Sequence, residues 1–447
     1  MPELLIAGGQ GMLFSVEDWR NSVITGLEIL GFRALRYMRL PLDRFHILVG
    51  PNASGKSTFF DAINLVRDIL NAGLERAIRG DQRFDIPLRA VDPKDLTWNR
   101  GGDPVEIVLT VEIPPEIQST LEPQYSHARY EISISVKGEL RISNENFWLC
   151  RGNQFAQNGT ADWKLFPAPP PSPATIVSPA GRRTPIGWRK VIGKTVETSS
   201  DYFKSETTDW NSTFRLGPSR SSLANLPEDA VRFPVATWFK RFLTDGIQRL
   251  TLNAERIRVP SPPGMVKAFL ADGSNLPWVI QDLSLRAPDR FDGWIDHVKT
   301  ALPDLRTIKT VERPEDKSRY LVIEYESGLE APSWVVSDGT LRILALTLLA
   351  YAVDAPQLLL VEEPENGIHP QAIQTVFDAL ANSYESQVFC ASHSPIVLSL
   401  AEKSQVLCFN KSFDGAVDVV RGDNHPRLLQ WEGALNLGEV FAAGILS

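Results

Sequence analysis

Residues 50–57 read GPNASGKS, placed between the short apolar run RFHILVG (44–50) and a segment where Phe60, Ile63, Val66 and Ile69 recur at helical spacing. Strand, glycine-rich turn and helix in that order form a phosphate loop, and the octet fits G-x-x-x-x-G-K-[ST] in full. Backbone N–H groups of such a turn converge on phosphate oxygens, and the helix N-terminus adds partial positive charge. The expected nucleotide cradle is Gly50, Pro51, Asn52, Ala53, Ser54, Gly55, Lys56, Ser57 and Thr58. Lys56 is expected to neutralise β- and γ-phosphate oxygens, and the Ser57 hydroxyl to ligate Mg²⁺. No guanine-reading NKxD segment is apparent, so the expected nucleotide is ATP.

The totals set the frame. At 447 residues, with 43% hydrophobic and 22% charged residues, the chain can build two or three domain-sized units. Lys plus Arg number 46 against 54 Asp plus Glu, a net charge of −8, which counts against nonspecific coating of nucleic acid. The longest apolar stretch, from Ile343 to Val353, falls short of the ~20 residues that span a bilayer, so no membrane segment is expected. The N-terminal residues MPELLIAGGQGMLF carry an acid at position 3 and no basic segment ahead of the apolar run, unlike a secretory signal. Cys150, Cys390 and Cys408 stand far apart without CxxC spacing, which suits a reducing cytoplasm.

Outward from the phosphate loop, residues 23–42 read as one or two strands, and VEIVLTVEI (105–113), ARYEISISV (128–136) and ELRISNENFWL (139–149) as an antiparallel group. Residues 151–215 are rich in proline and serine with basic Arg182, Arg183, Arg189, Lys190 and Lys194, and read as an extended insertion. Helical periodicity returns over 222–250 and 274–302, and YLVIEYES (320–327) reads as a strand. The resulting division is an extension at 1–20, an ATPase lobe at 21–150, the insertion at 151–215, a mainly helical lobe at 216–334, and the second ATPase half at 335–447. The fold class is α/β, with a mixed sheet, an antiparallel β region and a helical insertion lobe.

Three further runs carry chemistry. LLLVEEPENGIHP (358–370) is a buried strand that delivers acids at its C-terminal end, the edge where open α/β sheets bind ligands. Glu362 is expected in the Mg²⁺ shell, and Glu363 is expected to orient and deprotonate the attacking water. VFCA followed by SHSP (388–395) repeats the arrangement and offers His393 as a γ-phosphate sensor, with His369 a lesser candidate at an interface. VVSDGTLRILALTLLAYAV (335–353) opens a buried helix with Ser337, Asp338 and Gly339.

Together with ADGSNLP (271–277) and an LG…G ending at Leu437, Gly438 and Gly444, these runs resemble the ABC-type ATPases of the RecF, SMC and OLD branch. The resemblance extends from about residue 23 onward, leaving 1–20 and much of 151–215 unmatched. It implies that Ser337 and Gly339 form the signature that binds ATP held by a second subunit, with Arg342 supporting them. It gives residues 366–368 the position of the D-loop, and Arg33 a contact with nucleotide phosphate. Gln82 and Gln154 are the two candidates for its Q-loop. The chain departs from the pattern at Glu362, where the superfamily usually has aspartate.

The resemblance further implies an ATP-dependent homodimer acting as a switch, of the kind found in bacterial antiviral defence beside a separate effector such as a nuclease. Only 52 residues follow Pro395 and no acidic metal cluster lies in them, so no built-in TOPRIM nuclease is expected. The alternative is a RecF-like clamp on duplex DNA, supported by the basic residues between 182 and 194.

Overall fold

The computed structural model describes residues 22–121, 125–153, 165–179, 183–195, 200–383, 385–429 and 436–444. Strands β1 (Ile24–Phe32) and β2 (Leu35–Pro41) form a hairpin, and β3 (Phe45–Val49) leads into the phosphate loop and the helix Lys56–Ala72. Then come β4 (Val105–Glu112), β5 (His127–Ser135), β6 (Arg141–Cys150), β7 (Trp188–Thr195), β8 (Ser200–Lys204) and β9 (Asn211–Phe214). After the helix Pro234–Asp245 follow β10 (Ile247–Leu250), the helices Leu276–Arg286 and Pro288–Lys299, β11 (Leu305–Glu312), β12 (Arg319–Tyr325) and β13 (Glu330–Pro332). The helix Asp338–Leu348, β14 (Leu358–Glu362), the helix Ile373–Ala381, β15 (Gln387–Ala391), β16 (Val406–Lys411) and β17 (Val417–Arg421) complete the core.

The central six-stranded sheet runs β10-β14-β15-β3-β16-β17, parallel except for β17. β3, β14 and β15 are buried over nearly their whole length because both faces are covered. Alternate residues serve two cores. Leu48, Leu358, Leu360, Phe389, Leu407 and Phe409 face the phosphate-loop helix and the antiparallel sheet. Ile47, Val49, Leu359, Val361, Val388 and Cys408 face the helices Asp338–Leu348, Leu276–Arg286 and Ile373–Ala381. The antiparallel layer is an eight-stranded sheet, β2-β1-β4-β5-β6-β7-β8-β9, and β11-β12-β13 form a separate small sheet.

The segment expected as an extended insertion does not stand apart over its described part. β7, β8 and β9 continue the antiparallel sheet, because Lys194 is neutralised inside it by Asp201 at 2.8 Å and by the Gly217 carbonyl. The proline-rich residues 165–179 lie along that sheet, where the buried Glu106 and Glu131 accept the N–H groups of Ile176 and Ser178. The 216–334 region is mixed rather than mainly helical, since β10 joins the central sheet and β11, β12 and β13 form their own. Helix 274–302 divides at Ala287, where Pro288 ends one helix and starts the next. Arg182, Gln154 and residues 1–20 lie outside the described residues. All three cysteines are buried and free. Among the described residues no helix is long and apolar enough to cross a membrane.

Candidate functional site: a phosphate loop at the edge of the parallel sheet

Register aligns the ends of three neighbouring strands. Leu48 pairs with Ala391, and Ala391 with Glu362, so Gly50, the acids after β14 and the SHSP turn after β15 emerge at one edge. The backbone ties them further, with Ser392 N–H donating to Leu48 O at 3.1 Å and Glu363 N–H to Ala391 O at 2.8 Å.

The loop's conformation requires its glycines. Gly50 has φ 151°, and a Cβ there would sit 2.1 Å from the Phe409 carbonyl oxygen; Gly55 has φ 100° against Val417. Ala53, at φ 60°, adopts the left-handed region without being glycine, and is exposed with Pro51 and Asn52. The Lys56 ammonium folds over the loop and donates to Gly50 O at 2.8 Å and Pro51 O at 2.9 Å. Burial lowers its pKa to about 8, against the opposing pull of Glu363 and Glu362. Ser57 is exposed at the start of the helix, beside the half-buried Thr58.

Glu362 is the last residue of β14, and its Oε1 accepts from Arg249 Nη2 at 2.9 Å. Arg249, on the neighbouring β10, was not anticipated from sequence. Glu363 is exposed and held at φ 48°, a left-handed conformation that costs a non-glycine residue about 1–2 kcal/mol. That turn breaks the strand direction and lifts the second carboxylate off the sheet edge. His393 is half-exposed; burial lowers its pKa, Lys56 lowers it further, and Glu363 and Glu365 oppose the shift. Lys56, Glu363 and His393 thus share one electrostatic environment. The imidazole is neutral at neutral pH.

Glu365 was missed, although it stands within the quoted run EEPEN. Its Oε1 accepts from Ser392 Oγ at 2.7 Å and from His393 N–H at 3.3 Å, while its buried Oε2 has no hydrogen-bond partner among the described residues. No sequence signal separates it from an exposed loop acid, because its partners follow the next strand.

Ser337 caps the helix Asp338–Leu348, its Oγ accepting from Thr340 N–H at 3.2 Å, and remains exposed. Asp338 is paired with Arg258. Gly339 lies so close to the turn after Glu363 that a Cβ would sit 2.6 Å from Gly367 O. Arg342, one turn on, has its pKa lowered by burial while Asp338, Glu363 and Glu365 act to raise it. The start of this helix therefore rests on the turn at Gly367, with Ser337 open to solvent. Further along, a Cβ on Gly438 would meet Pro395 O at 2.1 Å, so the Leu-Gly ending docks beside the SHSP turn.

Arg33 is engaged elsewhere than at the loop itself. It pairs with Asp61 at 2.8 Å and donates to Arg89 O at 3.0 Å. Asp61 lies one turn beyond Ser57 on the phosphate-loop helix. His369 caps the 3₁₀ turn Pro370–Ala372 and is exposed. Gln82 sits in a short exposed 3₁₀ turn.

Mg²⁺ commonly takes one or two protein oxygens beside substrate phosphates and keeps several waters. A Ser57 hydroxyl and a half-buried Glu362 carboxylate steadied by Arg249 fit that demand. A protein-only cage is not what such a site needs, and among the described residues no cluster of three or more His, Cys, Asp or Glu could hold a metal.

Among solved structures, the chain is similar to an Smc head bound to the C-winged helix domain of ScpA, with TM-score 0.48, 13% identity, and 89% of this chain and 96% of that one covered. It is similar to an Smc head domain with an extended coiled coil bound to the C-terminal domain of ScpA, derived from Pyrococcus furiosus, with TM-score 0.47, 13% identity, and coverage of 95% and 99%. The SMC head domain from Thermotoga maritima matches with TM-score 0.39, 11% identity, and coverage of 89% and 98%. No curated protein sequence matches the chain. The family model described as "AAA domain, putative AbiEii toxin, Type IV TA system" matches residues 45–399, more than three quarters of the 447. That span holds the phosphate loop, the acidic turn after β14, the SHSP turn after β15 and the helix Asp338–Leu348, and the chain belongs to this AAA_21 family.

Proposed function

We propose that the chain binds and hydrolyses ATP with Mg²⁺, and that ATP clamps two copies head to head. The observation that carries this reading is the convergence of Lys56, Glu363 and His393 at one sheet edge. Lys56 leaves its own loop carbonyls for the β- and γ-phosphates, supplying charge where the phosphoryl group carries it. Glu363, lifted off the strand, orients water for in-line attack and receives its proton. Neutral His393 donates a hydrogen bond to the γ-phosphate. Ser57 and Glu362 would hold Mg²⁺, which would supply positive charge beside the phosphates.

Exposure of Ser337 at a helix N-terminus supports the dimer, because that group is free to meet phosphate on a second copy. The test mixes Lys56→Ala chains with Ser337→Arg chains. Each is inactive alone; the mixed dimer keeps one intact composite site and regains up to about half the activity per dimer. Absence of any recovery, with mixed dimers demonstrated, refutes the assignment in trans.

The biological setting we propose is bacterial antiviral defence in the cytoplasm, the ATPase controlling a separate effector such as a nuclease. The family description, which names a toxin of a type IV TA system, is in keeping with it. Copurification of an effector released on ATP turnover tests that role. A clamp on duplex DNA has less support than its sequence suggested, since Lys194 is spent on Asp201 and Arg189 donates to Ser205 O at 2.6 Å.

A further inference from the structure

A cavity of about 500 Å³ opens on the antiparallel sheet, where β6, β7 and β8 run side by side. Its walls include Trp148, Trp188, Tyr202, Lys190, Arg189 and Lys204, with Asp209 the one carboxylate among the lining residues. Register brings them together: Trp148 pairs with Lys190, Cys150 with Trp188, and Gly193 with Tyr202. The rings are fixed. Trp148 and Trp188 meet edge to face at 5.6 Å, and the Tyr202 ring covers Gly193 so closely that a Cβ there would lie 2.4 Å from it.

The cations are unusual. Lys190 Nζ lies 4.9 Å from the Trp148 ring centre and 5.6 Å from that of Tyr202, with no carboxylate at ion-pair distance among the described residues. Burial lowers its pKa, and the Glu131 carboxylate only partly opposes this. Arg189 is held by Ser205 O and Thr208 O, yet its buried Nε has no partner among the described residues, and neither has the indole N–H of Trp148. Lys204 is exposed at the rim. Stabilising the fold does not require a desolvated cation over aromatic rings beside two unsatisfied donors. A ligand with a π face and a negative charge complements the rings, Lys190 and the exposed Lys204.

We propose that this pocket binds a nucleoside phosphate, its base stacked on Trp188 and Tyr202 and its phosphate held by Lys190 and Lys204. Aromatic faces interleaved with cations are how proteins take a base without reading its edge, and the cavity is of ligand-pocket size. The site is distinct from the phosphate loop and does not rest on ATP hydrolysis. A free mononucleotide and the phosphorylated end of a nucleic-acid strand offer the same chemistry.

Titration calorimetry on the full chain in EDTA, with AMP in one arm and a short 5′-phosphorylated single strand in the other, separates the sources. Binding by AMP assigns a free nucleotide; binding by the strand alone, or more tightly by the strand, assigns a strand end. In either case binding persists in Lys56→Ala. It weakens about 5- to 150-fold in Trp188→Ala, the loss of one stacked base, and about tenfold in Lys204→Glu. Lys204 is exposed, so its variant retains the wild-type melting temperature and decides the matter if Trp188→Ala fails to fold. The proposal is overturned if neither ligand binds, if Lys56→Ala abolishes binding, or if Lys204→Glu leaves it unchanged.

Discussion

In the nucleotide-free protein the Lys56 ammonium rests on Gly50 O and Pro51 O at 2.8 and 2.9 Å, with its pKa lowered by burial to about 8 from 10.5. Phosphate oxygens at the loop would restore the charged form, so nucleotide binding takes up a proton wherever the free protein has lost one. With a pKa of about 8 the uptake is about half a proton per ATP at pH 8, about a tenth at pH 7 and about nine tenths at pH 9. The affinity for ATP accordingly falls about tenfold from pH 7 to pH 9. Calorimetry in buffers of different ionisation enthalpy reads the uptake directly. The linked stability effect has a definite sign. The folded protein holds fewer protons than the unfolded chain between pH about 8 and 10.5, so nucleotide-free stability from this group rises across that window. Uptake near zero at pH 8, or equal at pH 7 and 9, refutes the picture of an ammonium transferred from loop carbonyls to phosphate.

Two other substitutions probe the same edge. Glu363→Gln retains ATP binding, hydrolyses about 10²- to 10⁴-fold more slowly, and accumulates as a dimer in size-exclusion chromatography with ATP; normal turnover refutes the general-base role. Gly339→Ala gains about 1 kcal/mol of helix propensity but places a methyl 2.6 Å from Gly367 O, and the overpacking of about 1–3 kcal/mol wins because a backbone carbonyl cannot swing away. Its melting temperature drops and hydrolysis falls while phosphate-loop affinity holds, as nucleotide titration beside a turnover assay would establish.

What was legible in the sequence was local. Gly50 and Gly55 are demanded by backbone positions that admit no Cβ, so the motif and the geometry are one constraint seen twice. The apolar runs of β3, β14 and β15 read clearly because both sheet faces are covered. Arg249 could not be read, because its partner Glu362 is 113 residues away and β10 has only four residues, inside a run with helical periodicity. β7 and β8 were hidden for a related reason. Lys194 and Asp201 look like solvent-facing charges until the hairpin pairs them inside the sheet. The helix after Gly339 ends at Leu348 rather than continuing to Val353, because hydrophobicity marks burial and does not by itself mark helix.

The contacts around Glu365 give the proposed dimer a physical route for coupling its two sites. The turn from Glu363 to Ile368 is closed by Asn366 N–H to Glu363 O at 3.0 Å and Ile368 N–H to Glu365 O at 3.1 Å. Glu365 holds Ser392 and the His393 backbone from this turn, and Gly367 O presses on Gly339 from the same turn. A signature helix drawn toward phosphate on a second copy must therefore move against the segment that carries Glu363 and steadies His393. Close-packed backbone transmits such a displacement because it has no side-chain slack to absorb it.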